Sequence, residues 1–308
     1  MKLYKNIFGV ILAAIILISA GNASAEKNFE IKTVPLERNG YNLHLDCLKV
    51  AGSTPKKNIL LIHGLTYSSH VFDVNFSDYS FARFLAKKGY AVWRLDLTGY
   101  GRSDALTDGF KINSDYAAED INAAVDKINA GKIDLLGWSF GTVTTSKFAA
   151  KYPEKVNKLI LYAPIFTGMG AVNVSEPFNK NTWEHAAEDF QKLHDGSINF
   201  NLVEEAAANT FLSNCWNYDK DSSPNGCRVE ILSAKNNRLI KVENLKCPVL
   251  VIEGTRDPYI NRVALADAVK NLPTDSEFVE FAGGSHIVFI EKNYYKNFRN
   301  AVIKFLEK

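Results

Sequence analysis

At positions 137–141 the chain reads Gly137-Trp138-Ser139-Phe140-Gly141, directly after an apolar run that ends at Leu136. A G-x-S-x-G pattern between a strand and a helix is typical of a tight turn that presents a serine hydroxyl above the end of a sheet. The flanks suit this interpretation, because residues 132–137 have the pattern of a short buried strand and residues 143–152 that of a helix rich in small side chains. Ser139 is therefore a candidate nucleophile.

A serine hydroxyl needs a base within hydrogen-bond reach, and the base needs an acid that orients it. Residues 248–254 are predicted to form a buried strand that leads into Asp257, and residues 277–281 a strand that leads through two glycines to His286. Parallel sheets bind ligands at the carboxyl ends of their strands. The order Ser139, Asp257, His286 therefore predicts a catalytic triad. Glu253 competes for the acid role, and Asp257 also suits the cap of the following helix.

An ester hydrolase also needs hydrogen-bond donors for the oxyanion that develops during attack. Residues 58–63 are predicted to form a strand that ends in His63-Gly64. The backbone amides of Leu65 and Phe140 are the expected pair of donors, and His63 is interpreted as ordering this loop.

Three residues adjoin these motifs, so their location follows from their neighbours. They are predicted to line the substrate pocket: Tyr67, Trp138 and Ile287. The remaining histidines are interpreted as non-catalytic, although His185 and His194 are candidates for lining a pocket.

The chain resembles the α/β-hydrolase superfamily in four motifs. These are His63-Gly64, the D-x-x-G-x-G-x-S loop of residues 96–103, the Ser139 pentapeptide, and the Asp257/His286 pair. The resemblance implies a serine hydrolase of the esterase–lipase type, with a helical cap inserted into the core. Epoxide hydrolases and dehalogenases of this fold carry Asp at the nucleophile position, so Ser139 argues against both.

The leading functional hypothesis is hydrolysis of a small-molecule carboxylic ester through an acyl-enzyme intermediate, with no cofactor or metal. The same triad can act on a thioester, lactone, amide or carbon–carbon bond, or as a cofactor-free perhydrolase, because the fold does not decide the bond. A non-catalytic binding protein is disfavoured, since such proteins usually lose a member of the triad.

Strand and helix patterns alternate from residue 58 to residue 162 and again from residue 248, which predicts a mainly parallel sheet with helices on both faces. Residues 31–34 and 41–50 are predicted to form an antiparallel pair that turns at Asn39-Gly40. We assign residues 26–164 and 242–308 to the core. Residues 165–241 interrupt the alternation and are predicted to form a helical cap, with helices over 182–194 and 202–212.

The first residues have the features of a signal peptide. Lys2 and Lys5 precede an apolar run, and Ala23-Ser24-Ala25 resembles a cleavage site. The run is shorter than the roughly 20 residues that a membrane-spanning helix needs. We expect cleavage after Ala25, a periplasmic or secreted protein, and no stable membrane insertion afterwards.

The formal net charge of +2 falls to 0 when the two lysines of that segment are removed. The sequence also has no basic stripe, so nucleic acid is not an expected partner.

An exported chain permits disulfides, and the sequence contains four cysteines. Cys215 and Cys227 flank a polar, turn-rich loop and are the expected disulfide pair. Cys47 and Cys247 are predicted to be buried free thiols on opposite halves of the sheet, with a bridge between them as the alternative.

Overall fold

The computed structural model describes residues 28–170 and 173–308. Ten strands are present in this part of the chain: β1 (Phe29–Arg38), β2 (Tyr41–Val50), β3 (Lys57–Ile62), β4 (Tyr90–Leu95), β5 (Ile133–Trp138), β6 (Val156–Tyr162), β7 (Phe178–Lys180), β8 (Ser222–Pro224), β9 (Val249–Gly254) and β10 (Glu277–Phe281). Eight of them form one sheet in the order β1-β2-β4-β3-β5-β6-β9-β10, and β7 pairs with β8 separately.

The large sheet is parallel from β4 to β10, and only β1 and β2 run antiparallel to their neighbours. The β1–β2 hairpin turns at Asn39 and Gly40, which both have positive φ, as expected for an Asn-Gly hairpin turn. The predicted α/β-hydrolase architecture with a mainly parallel sheet is therefore confirmed.

Helices cover both faces of the sheet, because alternate side chains of each buried strand point to opposite sides. Ile59 and Leu61 of β3 belong to one hydrophobic cluster, and Leu60 and Ile62 belong to the other. The eight α-helices are α1 (Phe81–Lys87), α2 (Ser114–Ile128), α3 (Gly141–Lys151), α4 (Trp183–Ala187), α5 (Glu205–Asp219), α6 (Gly226–Ile231), α7 (Arg262–Lys270) and α8 (Tyr295–Leu306). Apolar residues of α1, α5 and α8 join the first cluster, and those of α2, α3 and α7 join the second.

The segment 165–241 connects β6 to β9, which are neighbours in the sheet. It contains α4, α5, α6 and the small β7–β8 sheet. The helix predicted over residues 182–194 ends at Ala187, so the prediction is wrong beyond that point. Beyond the helix end, Gln191 donates hydrogen bonds from its side-chain amide to the carbonyl oxygen of Gly283 and to Glu291, which holds this part of the segment against the chain that follows β10.

The predicted disulfide between Cys215 and Cys227 is wrong. Cys215, on α5, is buried in the first hydrophobic cluster, whereas Cys227, on α6, is buried in the second, where its thiol hydrogen-bonds the carbonyl oxygen of Ile112. The residues between them form the end of α5 and strand β8. They connect the two hydrophobic clusters, so the two cysteines are not the ends of a closed loop. Cys47 and Cys247 are also free thiols, as predicted; Cys247 is buried, whereas Cys47 is half-buried and not buried as expected.

Peptide mapping without reduction should recover Cys215 and Cys227 in separate, alkylated peptides. Burial raises the pKa of both thiols well above the usual value, so both should resist alkylation in the folded protein and react only after denaturation. A cross-linked peptide containing both residues would contradict the fold of this segment.

The predicted signal peptide, residues 1–25, lies outside the described residues. Within residues 28–170 and 173–308, none of the helices has the length and apolar character needed to cross a bilayer.

Candidate active site

Ser139 occupies the turn between β5 and α3 with a φ of +56°. A positive φ is unfavourable for a residue with a side chain and is held only when the surrounding structure enforces it. Here the amide of Ser139 donates to the carbonyl oxygen of Tyr162 at 2.9 Å. Gly64 allows the neighbouring loop to approach closely, since a Cβ at that position would lie 3.1 Å from the Cβ of Ser139. The local fold therefore presents the serine hydroxyl on a constrained turn.

His286 and Asp257 lie together at the carboxyl ends of β9 and β10. The Nδ1 atom of His286 is 2.6 Å from Oδ2 of Asp257, and both side chains are buried. Asp257 also accepts a hydrogen bond from the amide of Tyr259 through Oδ1, so it serves as a turn cap at the same time. The carbonyl oxygen of His286 accepts hydrogen bonds from Trp138 Nε1 and from the Tyr162 hydroxyl, which fixes the histidine loop against the strands beside Ser139.

The electrostatic surroundings of His286 favour its charged form. Burial by itself lowers the pKa of His286, but the negative charge of Asp257 and the hydrogen bond to it act in the opposite direction, and so does Asp189. The net result is a pKa above the usual 6.5 of histidine. An imidazole in this setting accepts a proton readily and is held in one orientation.

Glu253, the alternative acid, is engaged elsewhere. Its carboxylate forms an ion pair with Arg262 at the start of α7, and burial raises its pKa to about 7. The geometry thus brings Asp257, and not Glu253, to the imidazole of His286.

The loop after β3 is fixed by hydrogen bonds to the loop after β4. His63 is fully buried, its Nδ1 lies 2.9 Å from the carbonyl oxygen of Gly64, and its Nε2 accepts a hydrogen bond from the amide of Leu97. The hydroxyl of Tyr100 donates to the carbonyl oxygen of Leu65 at 2.7 Å. The carbonyl of Gly64 shares its peptide group with the amide of Leu65, the predicted oxyanion donor, so the contact with His63 Nδ1 helps to orient that amide. Among the described residues, no acceptor is hydrogen-bonded to the amides of Leu65 and Phe140.

A cavity of about 400 Å³ adjoins the serine turn. Its lining includes Ser139 and His286, together with the predicted pocket residues Tyr67 and Trp138. The volume lies in the range of small-molecule sites. Ile287 is a correction to the predicted pocket: its side chain is fully buried in the first hydrophobic cluster and does not belong to the lining, because the turn after His286 directs it into the core.

The segment 165–241 supplies much of the cavity wall, and most of these residues were not identified from the sequence: Ile165, Met169, Asn179, His185, Glu188, Asp189, Arg228, Ile231 and Leu232. They come from loops and short helices, which carry no periodic signal. His185 was one of two histidines proposed for a pocket, whereas His194 is exposed outside it. Burial raises the pKa of Asp189 to about 6, and the charges of His286 and Asp257 also act on it.

Asp219, at the end of α5, ties the segment to the core. Its carboxylate accepts hydrogen bonds from the amide and hydroxyl of Ser68 and from the amide of Gly101. Ser68 lies in the loop after β3, which also contains Leu65, and Gly101 lies in the loop after β4. Burial raises the pKa of Asp219 to about 7.

One group of side chains in the described part of the chain has the composition of a metal site. The ligand atoms of His44, His70 and Asp96 lie within 4.8 Å of one another, and all three residues are buried. Asp96 already accepts hydrogen bonds from Ser69 and from the amide of Arg102, which suits a structural role in this loop. The group lies outside the lining of the cavity at Ser139.

A family model described as the alpha/beta hydrolase fold matches residues 57–293. A putative esterase/lipase of Haemophilus influenzae is 25% identical over 215 residues, covering 66% of this chain and 70% of that protein.

A 2-hydroxy-6-oxononadienedioate/2-hydroxy-6-oxononatrienedioate hydrolase of Escherichia coli K12 is 36% identical over 93 residues, which is 30% of this chain. The match spans 31% of the length of that relative. Among solved structures, the esterase EaEST of Exiguobacterium antarcticum superimposes with a TM-score of 0.66 at 16% identity, covering 90% of this chain and 100% of that one. At this identity the likeness concerns the fold alone.

Proposed function

The chain belongs to the α/β-hydrolase family, and we propose that it is a serine hydrolase that cleaves carboxylic esters. The observation that carries the proposal is the 2.6 Å contact between His286 and Asp257 beside a cavity that Ser139 and His286 both line. The strained backbone of Ser139 supports the same assignment. So do the amides of Leu65 and Phe140, to which no acceptor is hydrogen-bonded among the described residues. We also propose that the segment 165–241 acts as a cap, since its residues form one wall of that cavity.

In the first half of the proposed reaction, Ser139 Oγ attacks the ester carbonyl carbon while Nε2 of His286 takes the serine proton. The resulting imidazolium is stabilised by the carboxylate of Asp257, and the amides of Leu65 and Phe140 donate to the oxyanion. The carbon–oxygen bond then breaks, the alcohol leaves with the proton from His286, and the acyl group stays on Ser139.

In the second half, His286 removes a proton from a water molecule that attacks the acyl carbon. The bond to Ser139 Oγ breaks, and the proton returns to the serine as the carboxylic acid leaves. Neither half requires a redox partner, so the reaction balances with the ester and water alone.

The alternative substrates use the same triad. A carbon–carbon bond is the alternative that the printed name of the Escherichia coli relative suggests, although that relative is matched over only 93 residues. Thioester, lactone and amide hydrolysis, and perhydrolysis, also remain compatible with these side chains because they share the acyl-transfer step.

The proposal is tested by assaying purified protein on p-nitrophenyl esters of graded chain length, with lactone, thioester, amide and dienoate panels in parallel. Turnover of the esters, with labelling of Ser139 by a fluorophosphonate, is the expected result. Absence of both turnover and labelling in folded protein would reject the proposal. A preference for the lactone, thioester, amide or dienoate panel would show that the enzyme cleaves that bond instead of a carboxylic ester.

The pH dependence follows from the state of His286. The imidazole must be neutral to accept the serine proton, and its pKa is raised above 6.5, so kcat/KM for a neutral ester should fall as the pH drops through that raised value. Because Asp189 helps to raise this pKa, Asp189→Asn should move the acidic limb of the profile to lower pH. The exposed Asp267, on α7, provides the matched control Asp267→Asn, which should leave the limb in place. An unmoved limb in Asp189→Asn would contradict the electrostatic account.

We further propose that residues 1–25 form a signal peptide and that the mature protein is exported. The basis is the basic start, the apolar run and the Ala-Ser-Ala sequence. N-terminal sequencing of the protein from the native host should begin at Glu26. Recovery of chains that retain Met1 in the membrane fraction would contradict both cleavage and export.

A further inference from the structure

One arginine in the candidate active-site cavity has no carboxylate at ion-pair distance within residues 28–170 and 173–308. Arg228, on α6, lines the cavity with Ser139, and its guanidinium makes two hydrogen bonds to the residues that the structure describes. Nε donates to Oδ1 of Asn225 at 2.9 Å, and one terminal nitrogen contacts the hydroxyl of Ser223 at 3.4 Å. Both acceptors are neutral. Since a guanidinium has five N–H groups, three of them are not used by these two acceptors.

The other arginines of residues 28–170 and 173–308 differ from Arg228. The following lie within 4.0 Å of a carboxylate oxygen: Arg38, Arg83, Arg94, Arg238, Arg262 and Arg299. Arg102 and Arg256 form no such pair but are exposed, so water solvates them. Arg228 alone in this part of the chain is partly buried without a carboxylate at ion-pair distance. Burial accordingly lowers the pKa of its guanidinium, which stays charged because arginine does not lose its proton in proteins.

The guanidinium is held in place by a buried polar network. Asn225 donates from its side-chain amide to the carbonyl oxygen of Glu176, and Ser223 donates to Oδ1 of Asn181. Asn181 in turn donates to the carbonyl oxygen of Asp219 at the end of α5. Each of these side chains thus has a partner that fixes its orientation. The network positions a partly desolvated cation on the cavity wall without neutralising it.

Further side chains define the rest of the site. His185 lines the same cavity, and its Nδ1 is buried without a hydrogen-bond partner among the described residues. The acidic groups facing the cavity are Glu188 and Asp189. Glu188 is exposed, which weakens its field through solvent screening. Asp189 interacts with the charges of His286 and Asp257, so it belongs to the catalytic side of the cavity.

We propose that Arg228 forms an anion subsite of the catalytic cavity, and that the substrate carries a carboxylate in addition to the bond that Ser139 attacks. This inference rests on the proposed function. A planar guanidinium with free N–H groups matches the two oxygens of a carboxylate, which supplies the missing counter-charge. Apolar side chains, among them Ile165, Met169 and Ile231, line the same cavity and suit an apolar part of the substrate.

The test compares esters that differ only in charge. One pair carries the charge in the alcohol part, 4-acetoxybenzoate against 4-acetoxybenzamide, and the other carries it in the acyl part, monophenyl adipate against its terminal amide. Wild-type protein should have the higher kcat/KM for the carboxylate member of at least one pair. Arg228→Gln should lower the ratio of the two kcat/KM values by about 10- to 100-fold, since a hydrogen-bonded charge pair is lost. Arg228→Lys should retain part of the preference.

The matched control is Arg238→Gln, because Arg238 lies in the same segment but pairs with Glu243 on the surface. It should leave the ratio at the wild-type value. If Ser139 is labelled by a fluorophosphonate and esters are cleaved, yet wild type shows no preference or Arg228→Gln leaves the ratio unchanged, the subsite is rejected and the hydrolase assignment stands.

A binding measurement separates the subsite from the chemistry. Adipate should raise the Tm of wild-type protein more than adipamide does, and this difference should vanish in Arg228→Gln. If adipate and adipamide raise the Tm of wild-type protein equally, the subsite is rejected even if no ester is cleaved. This comparison uses wild-type protein, so it does not depend on the folding of any variant. Failure of Ser139 labelling together with a positive adipate effect would instead reject the proposed function and retain the anion site.

Discussion

Ser139→Ala should lower kcat for ester hydrolysis by about 10⁵- to 10⁶-fold, because the hydroxyl that takes the acyl group in the proposed reaction is removed. Labelling by a fluorophosphonate should disappear in the same variant. The Tm should stay close to wild type, since the backbone of residue 139 is held by the hydrogen bond from its amide to the carbonyl oxygen of Tyr162 and not by the serine hydroxyl. The measurement is kcat and Tm on the same preparation, freed of contaminating esterase.

Ser146 offers the matched control for this experiment. It lies on α3, close in sequence to Ser139, and its buried hydroxyl has no hydrogen-bond partner among the described residues. Ser146→Ala removes a serine hydroxyl of the same kind from the same helix–strand unit and should keep wild-type turnover. Wild-type rates in Ser139→Ala would show that a different group carries the chemistry.

Asp257→Asn should reduce kcat by about 10⁴-fold, because the amide no longer stabilises the imidazolium and favours the wrong tautomer of His286. His286→Ala should have an effect comparable to that of Ser139→Ala. The double variant Asp257→Asn/His286→Ala should have a kcat only slightly below that of His286→Ala alone, since the members of a triad act as a unit. Asparagine retains a carbonyl oxygen for the amide of Tyr259, so the turn itself should persist.

Glu253→Gln discriminates between the two candidate acids. Glu253 is paired with Arg262, whereas His286 is hydrogen-bonded to Asp257, so replacing Glu253 should affect stability more than turnover. A severe loss of kcat in Glu253→Gln together with a mild effect of Asp257→Asn would assign the acid to Glu253. Near-UV circular dichroism of both variants establishes that the kinetic difference is not caused by misfolding.

The sequence alone was sufficient for the features that depend on neighbouring residues. The alternation of strands and helices, the Asn-Gly hairpin and the turn at Ser139 all follow from hydrophobic period and turn chemistry within short windows, and the structure has each of them. The candidates Asp257 and His286 were found in the same way, since each follows a predicted strand within a few residues. The 2.6 Å contact between them then required only that adjacent parallel strands end at the same edge of the sheet.

The limits of the segment 165–241 could be predicted from the sequence, but the path of its chain could not, because that path depends on contacts with the core. After α4, for example, the chain is held by hydrogen bonds from Gln191 to Gly283 and Glu291, which lie far along the sequence. The separation of Cys215 and Cys227 depends on which hydrophobic cluster each helix joins, and spacing along the chain carries no information about that choice.

What the sequence determined by itself was therefore the fold, the serine turn and the residues that approach it from strand ends, because each is encoded by local pattern and by the geometry of parallel sheets. Only the tertiary structure decided the wall of the cavity. It placed Ile287 in the core and brought Arg228, which no motif distinguishes, to the cavity of Ser139 without a counter-charge. The physical reason is that burial and charge pairing belong to the packed chain, where residues far apart in sequence compete for the same neighbours.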